Sequence, residues 1–234
     1  MWAKSGHLTR TQNVQPRTNL SIRLLTNVTI DSNAFAGTST LQTLKLIFGR
    51  RLFPDISIYI LSLGEDSFSG LSNLRELSIT NAVINSTGHP LEPLKNLKRF
   101  EWAESRMKEV PMEHLASLPH LEELSLRYNA ISTLRSNTFV NLKNLRALDL
   151  SSNRIQEFEI GCFNGLENLE NLNLSYNRFK LLSNEVWNLP KLKVFIVNDC
   201  RKIDKKILED SAYLSNIEIK CNGYKDAREG WGID

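Results

Sequence analysis

Cysteine is scarce, with three in 234 residues. A disulfide-built miniprotein is therefore excluded. Glycine (11) and proline (7) are also few, too few for a collagen or a linker. No apolar run approaches the ~20 residues of a membrane-spanning helix. The longest, 56–63 (ISIYILSL), is broken by polar residues. Neither sign of charge dominates: 29 Lys and Arg face 26 Asp and Glu, a net +3. So small an excess argues against a dedicated nucleic-acid binder, which needs a basic stripe. The 41% of hydrophobic residues excludes a disordered chain. The length suffices for one large domain or two small ones.

Catalytic signatures are missing as well. The four histidines, His7, His89, His114 and His120, form no metal-binding spacing. Glu113-His114 has no second ligand at helical distance. Neither a glycine-rich phosphate loop nor a nucleophile elbow occurs. The chain is expected to be no enzyme and to need no cofactor and no metal.

Leucine and asparagine, by contrast, are abundant, and they recur together. The pattern L-x-x-L-x-L-x-x-N appears as Leu121-Leu124-Leu126-Asn129, Leu145-Leu148-Leu150-Asn153 and Leu169-Leu172-Leu174-Asn177, with starts 24 residues apart. Weaker copies begin at Leu41, Leu74, Leu97, Leu192 and Leu214, and a degenerate one at Asn19. The residue six before each start gives an independent column: Phe35, Phe68, Leu91, Leu115, Phe139, Phe163, Val186 and Leu208. All are apolar. The residue three before fails only at the two ends, where capping repeats are atypical. Positions below are counted from the first residue of each copy.

These copies, read as LEELSLRYNAISTL, LRALDLSSNRIQEF and LENLNLSYNRFKLL, resemble the leucine-rich repeat superfamily over residues 19–222. The 24-residue period and the late Phe match its "typical" subclass. That subclass is found mostly in extracellular proteins and receptor ectodomains, such as Toll-like, Slit-like and small secreted repeat proteins. The resemblance implies an α/β solenoid of about eight repeats. A curved parallel β-sheet would line the concave side, with loops and short 3₁₀ or helical turns on the convex side. Residues 1–18 form a polar segment expected to be poorly ordered, and 223–234 a C-terminal tail. The Asn at position 9 is expected to satisfy backbone groups at the turn after each strand. That column reads Asn27, Gly49, Ala82, Ser105, Asn129, Asn153, Asn177, Cys200 and Asn222. It is regular only from Asn129 to Asn177, so the N-terminal half should be less regular.

The resemblance also implies function: a protein ligand held on the concave face. Positions 3, 5 and 8, with Arg127 at position 7, are expected to point out of the sheet. They supply Arg99, Glu101, Glu104, Glu123, Tyr128, Asp149, Asn171 and Tyr176. Tyr and Arg are common interface anchors; an ordinary hydrophilic face is the competing reading. Leu41 and Leu74 lie 33 residues apart rather than 24. The extra residues, within 47–59, hold Phe48, Arg50, Arg51 and Phe53. They are read either as a contact loop at the rim or as a longer turn folding its apolar residues onto the core.

Compartment is read from several weaker marks. Residues 1–18 contain no apolar leader core. The chain is thus a mature or truncated extracellular form, such as a receptor ectodomain, or an intracellular scaffold or specificity subunit. Neither the leader nor the usual cysteine caps are seen. Cys200 and Cys221 are close enough in register for a disulfide, or they are two thiols. Four sequons occur, at Asn19, Asn27, Asn85 and Asn173; random pairing of 23 Asn with 34 Ser and Thr gives about three. Asn27 is expected to be buried in the ladder. Asn85, in a loop, is the best glycan acceptor, and Asn173 would carry one on the concave face. An extracellular or cell-surface location is the favoured expectation.

Overall fold

The computed structural model describes residues 6–9, 18–49, 58–183, 186, 188–198 and 218–221. They fall in two compact units, one within 1–106 and 111–121, the other within 107–110 and 122–234. Both are turns of a parallel-strand β-solenoid with little helix.

The first unit contains, in chain order, β1 (His7–Leu8), β2 (Asn19–Leu24), β3 (Val28–Ile30), β4 (Thr43–Phe48), β5 (Tyr59–Leu63), β6 (Glu76–Thr80), β7 (Ala82–Ser86), β8 (Arg99–Ala103) and the short helix α1 (Met112–Ala116). Strands β2, β4, β6 and β8 pair in parallel as the front sheet. Strands β1, β3, β5 and β7 form a second parallel sheet on the return side, where turns were expected. Its buried residues alternate: Tyr59, Leu61 and Leu63 in β5, then Ala82 and Ile84 in β7. That period of two is the mark of a strand with one face in the core. The first strand lies in the segment expected to be poorly ordered; Leu8 is buried, and His7 Nδ1 lies 3.0 Å from Asp31 Oδ1.

The second unit contains β9 (Glu123–Ser125), β10 (Thr133–Leu134), β11 (Ala147–Asp149), β12 (Glu157–Phe158), β13 (Asn171–Asn173), β14 (Val194–Val197) and β15 (Glu218–Cys221). Here β9, β11, β13, β14 and β15 are neighbours in the front sheet. The return side carries only the two-residue pair β10 and β12. Leu124, Leu148 and Leu172 sit opposite one another and are buried. Behind them the Phe column closes the core, Phe139 and Phe163 both buried. Burying each such side chain stabilises by about 1.5–3 kcal/mol. Gly165, at φ +93°, marks a tight approach, because a Cβ there would collide with the Phe139 carbonyl and the Val140 backbone.

Register agrees with the sequence from Leu41 to Leu192 and departs from it at both ends. Asn19 pairs with Thr43, a position 3 residue, so Asn19 is itself at position 3 and Asn27 at position 11. Asn27 is therefore exposed, not buried in the ladder; its Oδ1 accepts from Ile60 N at 3.0 Å. Likewise Glu218 pairs with Val194, which puts Ile219 at position 4 and Cys221 at position 6, opposite Val197. Both slips are of two residues. A slip of two leaves every side chain on its original face, so hydrophobic pattern cannot detect it.

Candidate functional site

The ladder of the second unit builds the turns that carry the exposed side chains. Asn153 Nδ2 donates to Leu126 O (2.9 Å) and Leu150 O (3.1 Å), and its Oδ1 accepts from Ile131 N (3.1 Å). Asn177 repeats this one turn on, with Leu150 O (2.9 Å), Leu174 O (3.0 Å) and Ile155 N (3.0 Å). Asn129 accepts from Met107 N at 3.1 Å and donates to Leu126 O at 3.0 Å. All three amides are buried, and a buried amide left unpaired would be costly.

The first unit solves the same problem without Asn at position 9. Asn81, at position 8, donates to Gly49 O at 2.8 Å. Ser105 Oγ accepts from Ala82 N (3.3 Å) and donates to Ala103 O (2.8 Å). Trp102 Nε1 donates to Ala82 O at 3.0 Å. An amide, a hydroxyl and an indole divide the work of one asparagine.

The residues expected to form one concave patch divide into three groups. In the first unit, Arg99 and Glu101 lie on β8 and bond to β6: Arg99 Nε is 3.9 Å from Glu76 Oε2, Ser78 Oγ donates to Glu101 at 2.6 Å, and Lys45 reaches Glu76 at 3.0 Å. This strand face largely neutralises itself. In the second unit, Glu123 and Asn171 stand exposed on the strand face, while Asp149 accepts from Ser151 N at 2.9 Å and Asn173 from Ser175 Oγ at 2.7 Å. The third group is off the strands. Arg127, Tyr128 and Tyr176, like Glu104 in the first unit, sit in the turn that follows each strand, and Glu104, Tyr128 and Tyr176 have φ of 54°, 56° and 57°. In the second unit β9 and β13 end at position 5, and the ladder then reverses the chain. Tyr128 and Tyr176 remain 54% and 61% exposed. Arg127 lies 5.8 Å from the Tyr128 ring centre, within cation–π reach.

Other expected positions are placed as follows. Phe48, read as part of a rim loop, is buried at the end of β4 with its ring 5.5 Å from that of Tyr59. Position 9 there is Gly49, so no Asn turns the chain early and the strand runs inward-outward to position 8. Arg50, Arg51 and Phe53 lie outside the described residues, as do Cys200 and the side chain of Cys221. Asn85 is exposed, but in strand β7 rather than a loop. Exposed Arg154 and Arg178, at position 10, were not singled out by a reading limited to positions 3, 5, 7 and 8.

Chemical machinery is sparse among the described residues. No group of three or more His, Cys, Asp or Glu is placed to hold a metal ion, and no helix is long and apolar enough to cross a membrane. His114 Nε2 lies 3.0 Å from Ser86 Oγ, with its ring edge-on to Trp102. Burial holds its basicity below the ordinary value, against the opposing pull of Glu113. A half-buried imidazole bonded to one hydroxyl and packed edge-on against Trp102 reads as a packing residue. A cavity of about 360 Å³ lined by Glu65, Asp66, His89, Glu92, Pro93 and Lys95 lies in the first unit; within it Lys95 pairs with Glu92 at 3.3 Å.

The leucine rich repeat family model matches residues 95–155 and 144–201. No curated protein matches this chain. Among solved structures, it is similar to a chain of the TLR13–ssRNA13 complex, with a TM-score of 0.59 and 23% identity over 77% of this chain and 28% of that one. It is also similar to a chain of the Toll–Spatzle complex, described as a hub in Drosophila development and innate immunity, with a TM-score of 0.65 and 19% identity over 78% and 23%. The chain thus spans about a quarter of the length of these structures, and the likeness is one of fold. Repeat register, asparagine ladder and family match together place this chain in the leucine-rich repeat superfamily.

Proposed function

We propose that the chain is a non-enzymatic protein-recognition module, extracellular or part of a receptor ectodomain. The observation that carries this reading is the second unit's exposed polar and aromatic surface on a rigid backbone. Glu123, Asn171, Tyr128 and Tyr176 are exposed, while every leucine beneath them is buried. A surface whose backbone is fixed by buried side chains and a hydrogen-bonded ladder binds with little backbone ordering cost, and exposed Tyr is a favourable anchor. Toll, to which the fold is similar, is seen with Spatzle, which supports a protein ligand here. Asn85, exposed in β7, is the acceptor at which passage through a secretory route can be tested.

Two experiments test this. Expression in an animal secretory host, with and without N-glycosidase treatment before intact-mass measurement, should show a glycan at Asn85 that is lost in Asn85→Gln. A screen of purified secreted proteins by biolayer interferometry should yield a partner whose affinity falls at least tenfold with Glu123→Lys plus Asn171→Lys or with Tyr128→Ala. A partner bound equally by all three forms would refute the surface.

A further inference from the structure

We propose that the turn edge of the second unit binds a single extended acidic segment of a protein partner. This inference rests on the recognition reading above and names the chemistry of its ligand. Positions 7 to 12 of three successive turns comprise 127–132, 151–156 and 175–180. Within them Arg127, Arg154, Arg178 and Lys180 are basic and no residue is acidic. All four cations are exposed, as are Tyr128 and Tyr176. Arg154, Arg178 and Lys180 make no ion pair among the described residues. In a chain of net +3, four cations without an acid on one edge is a segregation of charge.

The edge is also rigid. Tyr128 N donates to Ser151 O (3.1 Å) and Ser152 N to Ser175 O (2.9 Å), so neighbouring turns are locked together at the positions that carry the tyrosines. Successive turns are separated by one strand spacing, about 4.8 Å. Arg154 and Arg178 therefore emerge one spacing apart, and Tyr128 and Tyr176 two. Same-side residues of an extended peptide recur every ~7 Å, within reach of two flexible Arg side chains.

Width decides between a peptide and a nucleic acid. The basic strip is bounded by acids on both sides. Asp149 lies at position 5 before it and Glu157 at position 13 after it. A short row of cations flanked by an acid on each side favours one extended acidic peptide over a broader polyphosphate, which would meet those carboxylates. Leu181, 52% exposed beside Lys180, adds an apolar contact that a phosphate backbone does not use.

The test is fluorescence anisotropy with three labelled probes: a twelve-residue peptide alternating Glu with Leu and Tyr, its Lys counterpart, and oligo(dT). The acidic peptide should bind and weaken as salt is raised. Arg154→Glu with Arg178→Glu should raise its Kd at least tenfold, and Tyr176→Ala about fivefold, with unchanged thermal unfolding. Lys143→Glu, one such charge reversal at an exposed site outside the strip, should leave it within twofold. No acidic-peptide binding, an equal loss in Lys143→Glu, or tighter binding of oligo(dT) overturns the proposal. If the screened partner is lost with Glu123→Lys plus Asn171→Lys but not with the paired Arg variants, the edge assignment fails and the recognition reading stands.

Discussion

Asn153 Nδ2 donates to the carbonyl of Leu126, one turn earlier, at 2.9 Å. The same amide serves Leu150 of its own turn and Ile131 N. One side chain thus holds two turns together. Asn153→Ala strands these buried groups, each at about 1–3 kcal/mol, and should destabilise by about 3 kcal/mol. In the first unit the duty is divided, so Ser105→Ala should cost only about 1 kcal/mol. Urea unfolding of both variants measures the difference; equal losses would count against the ladder as the second unit's main tie.

Gly165 tests close packing between turns. Ala at this position must hold a left-handed backbone and push its Cβ into Phe139 O and the Val140 backbone. Strain and overpacking together should cost about 3 kcal/mol. Gly37, also at positive φ, has nothing within 4 Å of the same Cβ. Gly37→Ala should therefore lose less, about 1 kcal/mol, and thermal unfolding of the pair separates conformational strain from collision.

His114 should make stability sensitive to mild acid. Its native pKa lies below the ordinary 6.5 because the ring is half-buried. As pH falls below that value the unfolded chain takes up the proton first, which favours unfolding. This contribution is complete above the unfolded pKa and is lost progressively below it. Thermal melts at pH 7.5 and 5.5 should show a smaller drop for His114→Gln than for the parent chain. An equal drop would show that other groups carry the acid sensitivity.

Cys162 should be inert while the fold persists. Its side chain is buried, and desolvation pushes the thiol up to about 12. Iodoacetamide at pH 8 should leave it unmodified in buffer and alkylate it fully in denaturing urea, as peptide mass spectrometry would read. Rapid labelling of the folded chain would indicate local opening around Phe163.

The sequence was most informative where several residues of one turn agree. Leu121, Leu145 and Leu169, with their Asn residues, set a register that strand pairing reproduces without a slip. It misled where the signature thins, at Asn19 and at Leu214, because a displacement of two residues preserves the inward face. Phe48 was legible as an insertion boundary but not as core, since its burial depends on the strand running past the place where Asn turns the chain in later repeats. Tyr128 and Tyr176 were legible as exposed. That they leave the strand face was not, because a left-handed φ at a Tyr has no signature in composition. The return sheet of the first unit was not legible, because that side of each repeat was expected to hold loops and short turns.

The equivalence of Asn153 to Leu126 and Asn177 to Leu150, both 2.9 Å, makes the second unit modular at the level of genes. Excising residues 145–168 would bring Asn171 opposite Glu123 and present Asn177 to Leu126 as Asn153 now stands, with Leu172 meeting Leu124. Duplication of the same stretch would insert a turn with equal fidelity. Such a segment can be gained or lost by recombination while the joint is chemically unchanged. The first unit, whose turns each borrow a different side chain from a neighbour, has no interchangeable part.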